Sequence, residues 1–309
     1  SPGKTQRIEP PMTELRDFLD PGSVAQLERL QVVARKIAEG FLRGLHRSSA
    51  RGSSIEYAEH RPYVPGDDLK HLDWRSYART DRFYLKQFED ETNLRATLVL
   101  DTSASMSFSS GELTKLRYAS CLAAAMAYLL LGQRDAVGLA LAGESLKQHI
   151  PPRASAENLA GIYGAMEKAR AEGRTDLSKV LSQLAERVDP GSLTILISDL
   201  LDDEQKVLSG ISQLRQRGSE VIVLQVLDPC EKELPFNSWM VLRDIEDPSI
   251  EMRLDARQLA ELYRENFIEH QEAIRKGCSA AEVDYLCLDT SAPFANTLGR
   301  FLHLRSRQR

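Results

Sequence analysis

Leu98-Val99-Leu100-Asp101-Thr102-Ser103-Ala104-Ser105 reads as a short apolar strand that runs straight into a D-x-S-x-S loop. The strand, Thr97 to Leu100, is of the buried kind, and a long apolar helix follows over Leu113 to Leu131. In open α/β sheets, ligands bind outside the carboxyl ends of the strands. One carboxylate and two hydroxyls on a tight loop offer hard oxygen donors converging on a point. Mg²⁺ takes such donors, with a few waters, in octahedral coordination. Asp and Ser are equally ordinary helix caps, so the pentapeptide by itself also fits a structural role.

Working outward, strands are predicted near Ala136 to Ala142, Leu146 to Ile150, Leu193 to Ile197 and Glu220 to Leu227. Helices are predicted over Ala154 to Arg170, Asp176 to Val188 and Asp203 to Arg217. Repeated βα units with strands apolar on both faces predict an α/β fold, a doubly wound and mostly parallel sheet covered on both sides. Two further strand-end features matter. Gly173-Arg174-Thr175-Asp176 opens a helix and offers a hydroxyl, and Ile195-Leu196-Ile197-Ser198-Asp199 places a second carboxylate at a strand end. If both strands lie centrally, the three loops meet at one crevice.

In this order and spacing, Asp101, Ser103, Ser105, Thr175 and Asp199 resemble the metal-ion-dependent adhesion site of the von Willebrand factor A family. The resemblance runs from about Leu94 to Leu304 and implies that family's Rossmann-like fold. It also implies one bound Mg²⁺, with Mn²⁺ or Ca²⁺ as alternatives. The hydroxyls of Ser103, Ser105 and Thr175 would ligate the ion, with Asp101 and Asp199 acting directly or through water. A Glu or Asp of another protein would complete the shell, which implies protein–protein assembly rather than catalysis.

Upstream, a helix is predicted over Ser23 to Leu42, then a polar connection, His46 to Ser54, and a short strand around Phe83, Leu85 and Phe88. Between them lies a segment dense in Arg, Asp, His, Tyr and Trp. It reads either as a second metal or hydrolytic site built from His60, Asp67, Asp68, His71 and Asp73, or as a salt-bridged structural segment with Tyr63 and Trp74 in the core. His71 and Asp73 stand two apart, unlike the i, i+4 pair of a zinc-binding helix, which favours the structural reading. Downstream, a hairpin around Asp247-Pro248-Ser249 has arms Met240 to Ile245 and Ile250 to Leu254, and a helix spans Ala256 to Lys276. The strand Val283 to Leu288 rejoins the sheet before a last helix, Pro293 to Leu304. The expected organisation is an N-terminal segment, residues 1–93, and a sheet domain, residues 94–309, with an insertion at about 230–280.

"EHRPYVPGDDLKHLDWRSYART" at 59–80, followed by "FEDETNLRATLVLDTSASM" at 88–106, resembles the bacterial family catalogued as domain of unknown function 58. Its members join this segment to a von Willebrand factor A-like domain and are commonly paired with AAA+ ATPases of the MoxR type. The resemblance implies such an ATPase, a client protein, or both as partners, engaged through an acidic residue in chaperone-like or metal-insertion work. Many relatives carry membrane-spanning segments near the N-terminus.

Bulk properties narrow the rest. A net charge of −5 gives no sign of nucleic-acid binding. The richest apolar run, Leu122 to Leu131, is too short to span a bilayer. The four cysteines form no CxxC pair and fit a reducing cytoplasm. Phosphohydrolases of the haloacid dehalogenase type need a second Asp where Ser103 stands. No GxGxxG, GxxxxGK[ST] or GxSxG follows any strand. A non-enzymatic chain is expected, with a structural adaptor carrying a vestigial metal site as the rival reading.

Overall fold

The structure, a computed structural model, describes residues 21–25, 29–49, 60–62, 84–86, 94–233, 239–243 and 251–306. The chain divides into two compact units, one of residues 1–41 with 94–309 and one of residues 42–93. Two N-terminal helices, α1 (Pro21–Ala25) and α2 (Leu30–Ser49), come first. In the smaller unit, β1 (His60–Pro62) pairs antiparallel with β2 (Tyr84–Lys86). The rest of the Arg-, Asp- and Trp-rich segment, with both readings of it, lies outside the described residues.

The larger unit continues with β3 (Arg95–Asp101), a 3₁₀ turn (Ala104–Ser107), α3 (Lys115–Gly132), β4 (Ala136–Ala142) and β5 (Leu146–Arg153). There follow α4 (Ala156–Lys168), α5 (Leu177–Ala185), β6 (Leu193–Ser198), α6 (Glu204–Gln216), β7 (Glu220–Leu227) and α7 (Pro229–Glu233). The hairpin is β8 (Trp239–Arg243) with β9 (Glu251–Asp255), and α8 (Ala256–Ala280), β10 (Asp284–Asp289) and α9 (Phe294–Ser306) end the described chain. Element types of the sheet domain match the sequence reading, with boundaries moved by a few residues where ends are set by caps: Ser155 caps α4 and Asp203 caps α6. Upstream, the single helix expected over Ser23 to Leu42 is instead two, and α2 runs on to Ser49, into the expected polar connection that begins at His46.

Six strands form one sheet in the order β10-β7-β6-β3-β4-β5, all parallel except β5. From β3 the chain builds outward through β4 and β5 on one side, and through β6, β7 and β10 on the other. The switch point therefore falls between β3 and β6, where the carboxyl ends open a crevice. Leu98 registers with Leu139 of β4 and Ile195 of β6, so β3 is central. The antiparallel β5 carries Pro151-Pro152 at the sheet edge, where missing amide donors cost no ladder bond.

Alternation along the strands feeds two hydrophobic layers. Ala96, Leu98 and Leu100 of β3 pack with α2, α3, α4 and α9, whereas Val99 packs with α5, α6 and α8. Up to Phe41, α2 is part of the first layer through Leu30, Val33, Ile37 and Phe41. Tyr118 of α3 stacks on Phe294 of α9 at 4.6 Å between ring centroids. Within the expected insertion, α8 buries Ile274 and Cys278 in the second layer and carries the chain from the β7 side back to β10; the hairpin precedes it.

Gly138 marks a close approach between β4 and β5. A Cβ there would lie 2.5 Å from the Ile150 carbonyl oxygen and 2.8 Å from the Pro152 nitrogen, where the β4–β5 register shifts. Gly138→Ala should therefore lower stability by about 1–3 kcal/mol through forced backbone displacement. Urea unfolding would show this as a lower midpoint; an unchanged midpoint would mean that the edge strand yields freely.

Candidate metal centre

The first loop leaves β3 at Asp101, whose Oδ1 accepts from the Ser103 amide at 2.9 Å. Ser103 stands at the N-cap of the 3₁₀ turn, yet its side chain makes no capping bond. Its Oγ instead lies 2.9 Å from Ser105 Oγ. The capping explanation therefore fails for Ser103, and two hydroxyls are left facing each other at the strand end. It holds for Asp176, whose Oδ1 accepts from the Lys179 amide at the start of α5.

Backbone bonds stitch the second loop to the first. The Ala104 amide donates to the Gly173 carbonyl at 2.8 Å and the Glu172 amide to the Thr102 carbonyl at 3.0 Å. Gly173 adopts φ 71°, a left-handed conformation that glycine reaches without strain. Thr175 is thereby brought to Asp101, its Oγ1 donating to Oδ1 at 2.9 Å. From β6, Ser198 Oγ donates to Asp101 Oδ2 at 2.5 Å. Asp199 follows, its Oδ2 2.7 Å from Lys115 Nζ and its Oδ1 accepting from the Leu201 amide at 3.2 Å. Gln225 Nε2 donates to the Asp199 carbonyl at 2.9 Å and fixes the loop from β7.

All five residues expected from the sequence, Asp101, Ser103, Ser105, Thr175 and Asp199, line one cavity of about 340 Å³ at the switch point. The electrostatics favour a cation there. Asp101 is only 2% exposed, and among the described residues no Lys, Arg or His forms an ion pair with it. Burial first, and the neighbouring Asp199 charge second, push its pKa up, against the hydrogen bonds from Ser198, Ser103 and Thr175. A buried carboxylate in this state is stabilised by a positive ion. The donor set is rich in hydroxyls, and among the described residues no group of three His, Cys, Asp or Glu side chains is placed to hold a metal. Hard divalent ions suit such oxygens better than zinc does.

Three participants were not singled out from the sequence: Ser198, Lys115 and Glu231. Lys115 Nζ bridges Asp199 and Glu231 Oε1, the latter at 2.5 Å. Burial disfavours its charge, but the two carboxylates outweigh that and raise its pKa. The sequence signal was weak: Lys115 and Arg117 are two charged residues in the first turn of a helix that is apolar from Cys121 to Leu131. Leu200 adds a backbone feature, with φ 56° although it is a leucine. Its amide donates to Ser198 Oγ at 3.0 Å, and its carbonyl lies 2.9 Å from His270 Nε2.

A doubly wound sheet with one antiparallel edge strand, and a D-x-S-x-S loop, a Thr and an Asp gathered at its switch point, define a von Willebrand factor A-like domain. The chain belongs to the family described as protein of unknown function DUF58, whose profile matches residues 59–276. An uncharacterized protein of Mycobacterium bovis is 28% identical over 308 residues, covering 97% of this chain and 95% of the relative. Among solved structures, the conserved hypothetical protein BatB from Bacteroides thetaiotaomicron aligns with a TM-score of 0.48 at 15% identity, over 69% of this chain and 99% of that one. The SpRpn10 VWA domain aligns with a TM-score of 0.40 at 12% identity, over 67% and 95% of the two chains. Among the described residues no helix is long and apolar enough to cross a membrane.

Proposed function

We propose that this protein is a metal-dependent protein–protein interaction module that docks a partner's carboxylate on a bound divalent cation, Mg²⁺ in the first instance. The reading rests above all on the convergence of Ser103, Ser105 and Thr175 hydroxyls around a buried Asp101 that lacks a cationic partner among the described residues. Ser103, Ser105 and Thr175 would ligate the ion, with Asp101 and Asp199 acting directly or through water. The ion supplies Lewis acidity toward an incoming Asp or Glu. Resemblance within the family makes a MoxR-type AAA+ ATPase, or its client, the proposed partner, and the chain an adaptor or co-chaperone without catalysis of its own. The four free thiols support a cytoplasmic setting.

Ser103→Ala combined with Thr175→Ala tests this. The double variant should lose Mg²⁺-dependent capture of the ATPase, as chelator does to wild type, while remaining folded, its metal-free stability lowered by about 1–3 kcal/mol because Thr175 no longer donates to buried Asp101. Capture that persists in chelator would place docking on another face. One observation favours the rival adaptor with a vestigial site: Asp199 already has a cation in Lys115. Calorimetry separates the two readings, because the vestigial site gives no heat with Mg²⁺ or Mn²⁺ in wild type or in Asp101→Ala.

A further inference from the structure

Lys115 occupies a position that neither helix formation nor solvation explains. It is the first residue of α3, after the Thr114 cap, where the helix dipole disfavours a positive charge. Its side chain is 0% exposed, against 3% for Asp199 and 13% for Glu231. A lysine is seldom fully buried unless paired, and here both partners are carboxylates, one of them lining the cavity. Asp199 has both oxygens engaged, Oδ2 by the ammonium and Oδ1 by the Leu201 amide. Glu231 is held in turn, its Oε2 accepting from the Asp228 amide at 2.9 Å.

We propose that Lys115 is a positioning residue that competes with the divalent ion for Asp199, restraining that carboxylate and limiting the affinity of the site for the metal. The inference rests on the function proposed above and adds its regulation. An ammonium bonded to one oxygen of Asp199 cancels much of the attraction that carboxylate offers a second cation. Of the two carboxylates in the five-residue set, Asp101 is then the one without an ammonium bound to it among the described residues, and the ion keeps its pull on an external carboxylate. Glu231 sets the strength of the competition, because it draws the same ammonium away from Asp199.

Mg²⁺ titrated calorimetrically into the full chain tests this through the sign of the change. Lys115→Met should tighten Mg²⁺ binding by about tenfold or more, and Lys115→Arg should restore wild-type affinity. Glu231→Gln, which leaves Lys115 wholly to Asp199, should weaken binding by about threefold. A lysine needed only for folding gives no tightening in the first variant and no change in the last. Folded Lys115→Met with equal or weaker affinity overturns the proposal. If that variant does not fold, Glu231→Gln decides, and an unchanged or tighter dissociation constant overturns it. Wild type without measurable affinity, beside a Lys115→Met chain that gains it, supports the competition while removing the metal-dependent function from the native protein. Absence of binding in every variant ends both.

Discussion

Asp101→Asn is expected to abolish stabilisation by Mg²⁺ while leaving the metal-free protein at least as stable as wild type. At a hundredfold excess of ion over its dissociation constant, a ligand that binds only the folded state contributes about 2.7 kcal/mol, roughly 5–10 °C in Tm for a domain of this size. Asn retains an oxygen for the Ser103 amide and Thr175 hydroxyl, and Ser198 Oγ can turn to accept from its amide. It removes a buried charge with no cationic partner among the described residues and relieves repulsion with Asp199. The pH dependence follows. In the folded, metal-free chain the Asp101 pKa lies above its ordinary 3.8, so the folded state holds this proton more readily than the unfolded one. Its contribution favours folding most below 3.8, declines as pH rises toward the folded value, and is flat beyond it. Melting curves in chelator across that interval should show this downward slope in wild type and its loss in the variant. An equal Mg²⁺ shift in both proteins would remove Asp101 from the site.

The second large effect concerns Lys115 as a structural ion. Lys115→Met should lower stability by about 3–5 kcal/mol, because it leaves Asp199 and Glu231 buried without their cation. Neutralising the whole cluster, with Asp199→Asn and Glu231→Gln added, should recover most of that loss, since the cost comes from the orphaned charges rather than from the missing methylenes. Denaturant unfolding in chelator across this mutant cycle measures it. If the triple variant is as unstable as the single one, packing of the lysine stem accounts for the loss.

The five cavity residues were legible because each sits at the carboxyl end of a strand or the head of a helix, positions that hydrophobic patterning locates well. Sheet class was legible for the same reason: Leu193 to Ile197 and Glu220 to Leu227 are apolar on both faces, which only a covered sheet permits. Lys115 escaped because periodicity assigns a residue to a helix without saying what faces it, and Glu231 is 116 residues away along the chain. Ser198 was visible as a hydroxyl next to Asp199, but its bond to Asp101 depends on β6 lying beside β3. The left-handed Leu200 leaves no local mark at all, since glycine or asparagine would be the expected occupant. The strand expected over Leu146 to Ile150 runs on through Pro151-Pro152 to Arg153, an extension that only an edge position tolerates and that depends on the partner strand.

An anomalous difference map from a crystal of the full chain soaked in Mn²⁺ tests the central claim most directly. A single peak within coordination distance of the Ser103, Ser105 and Thr175 hydroxyls, with Asp101 beside it and one vertex open to solvent, is the predicted result. A map without a peak in that cavity, or with the ion held elsewhere while Lys115 and Asp199 keep their bond, would contradict it.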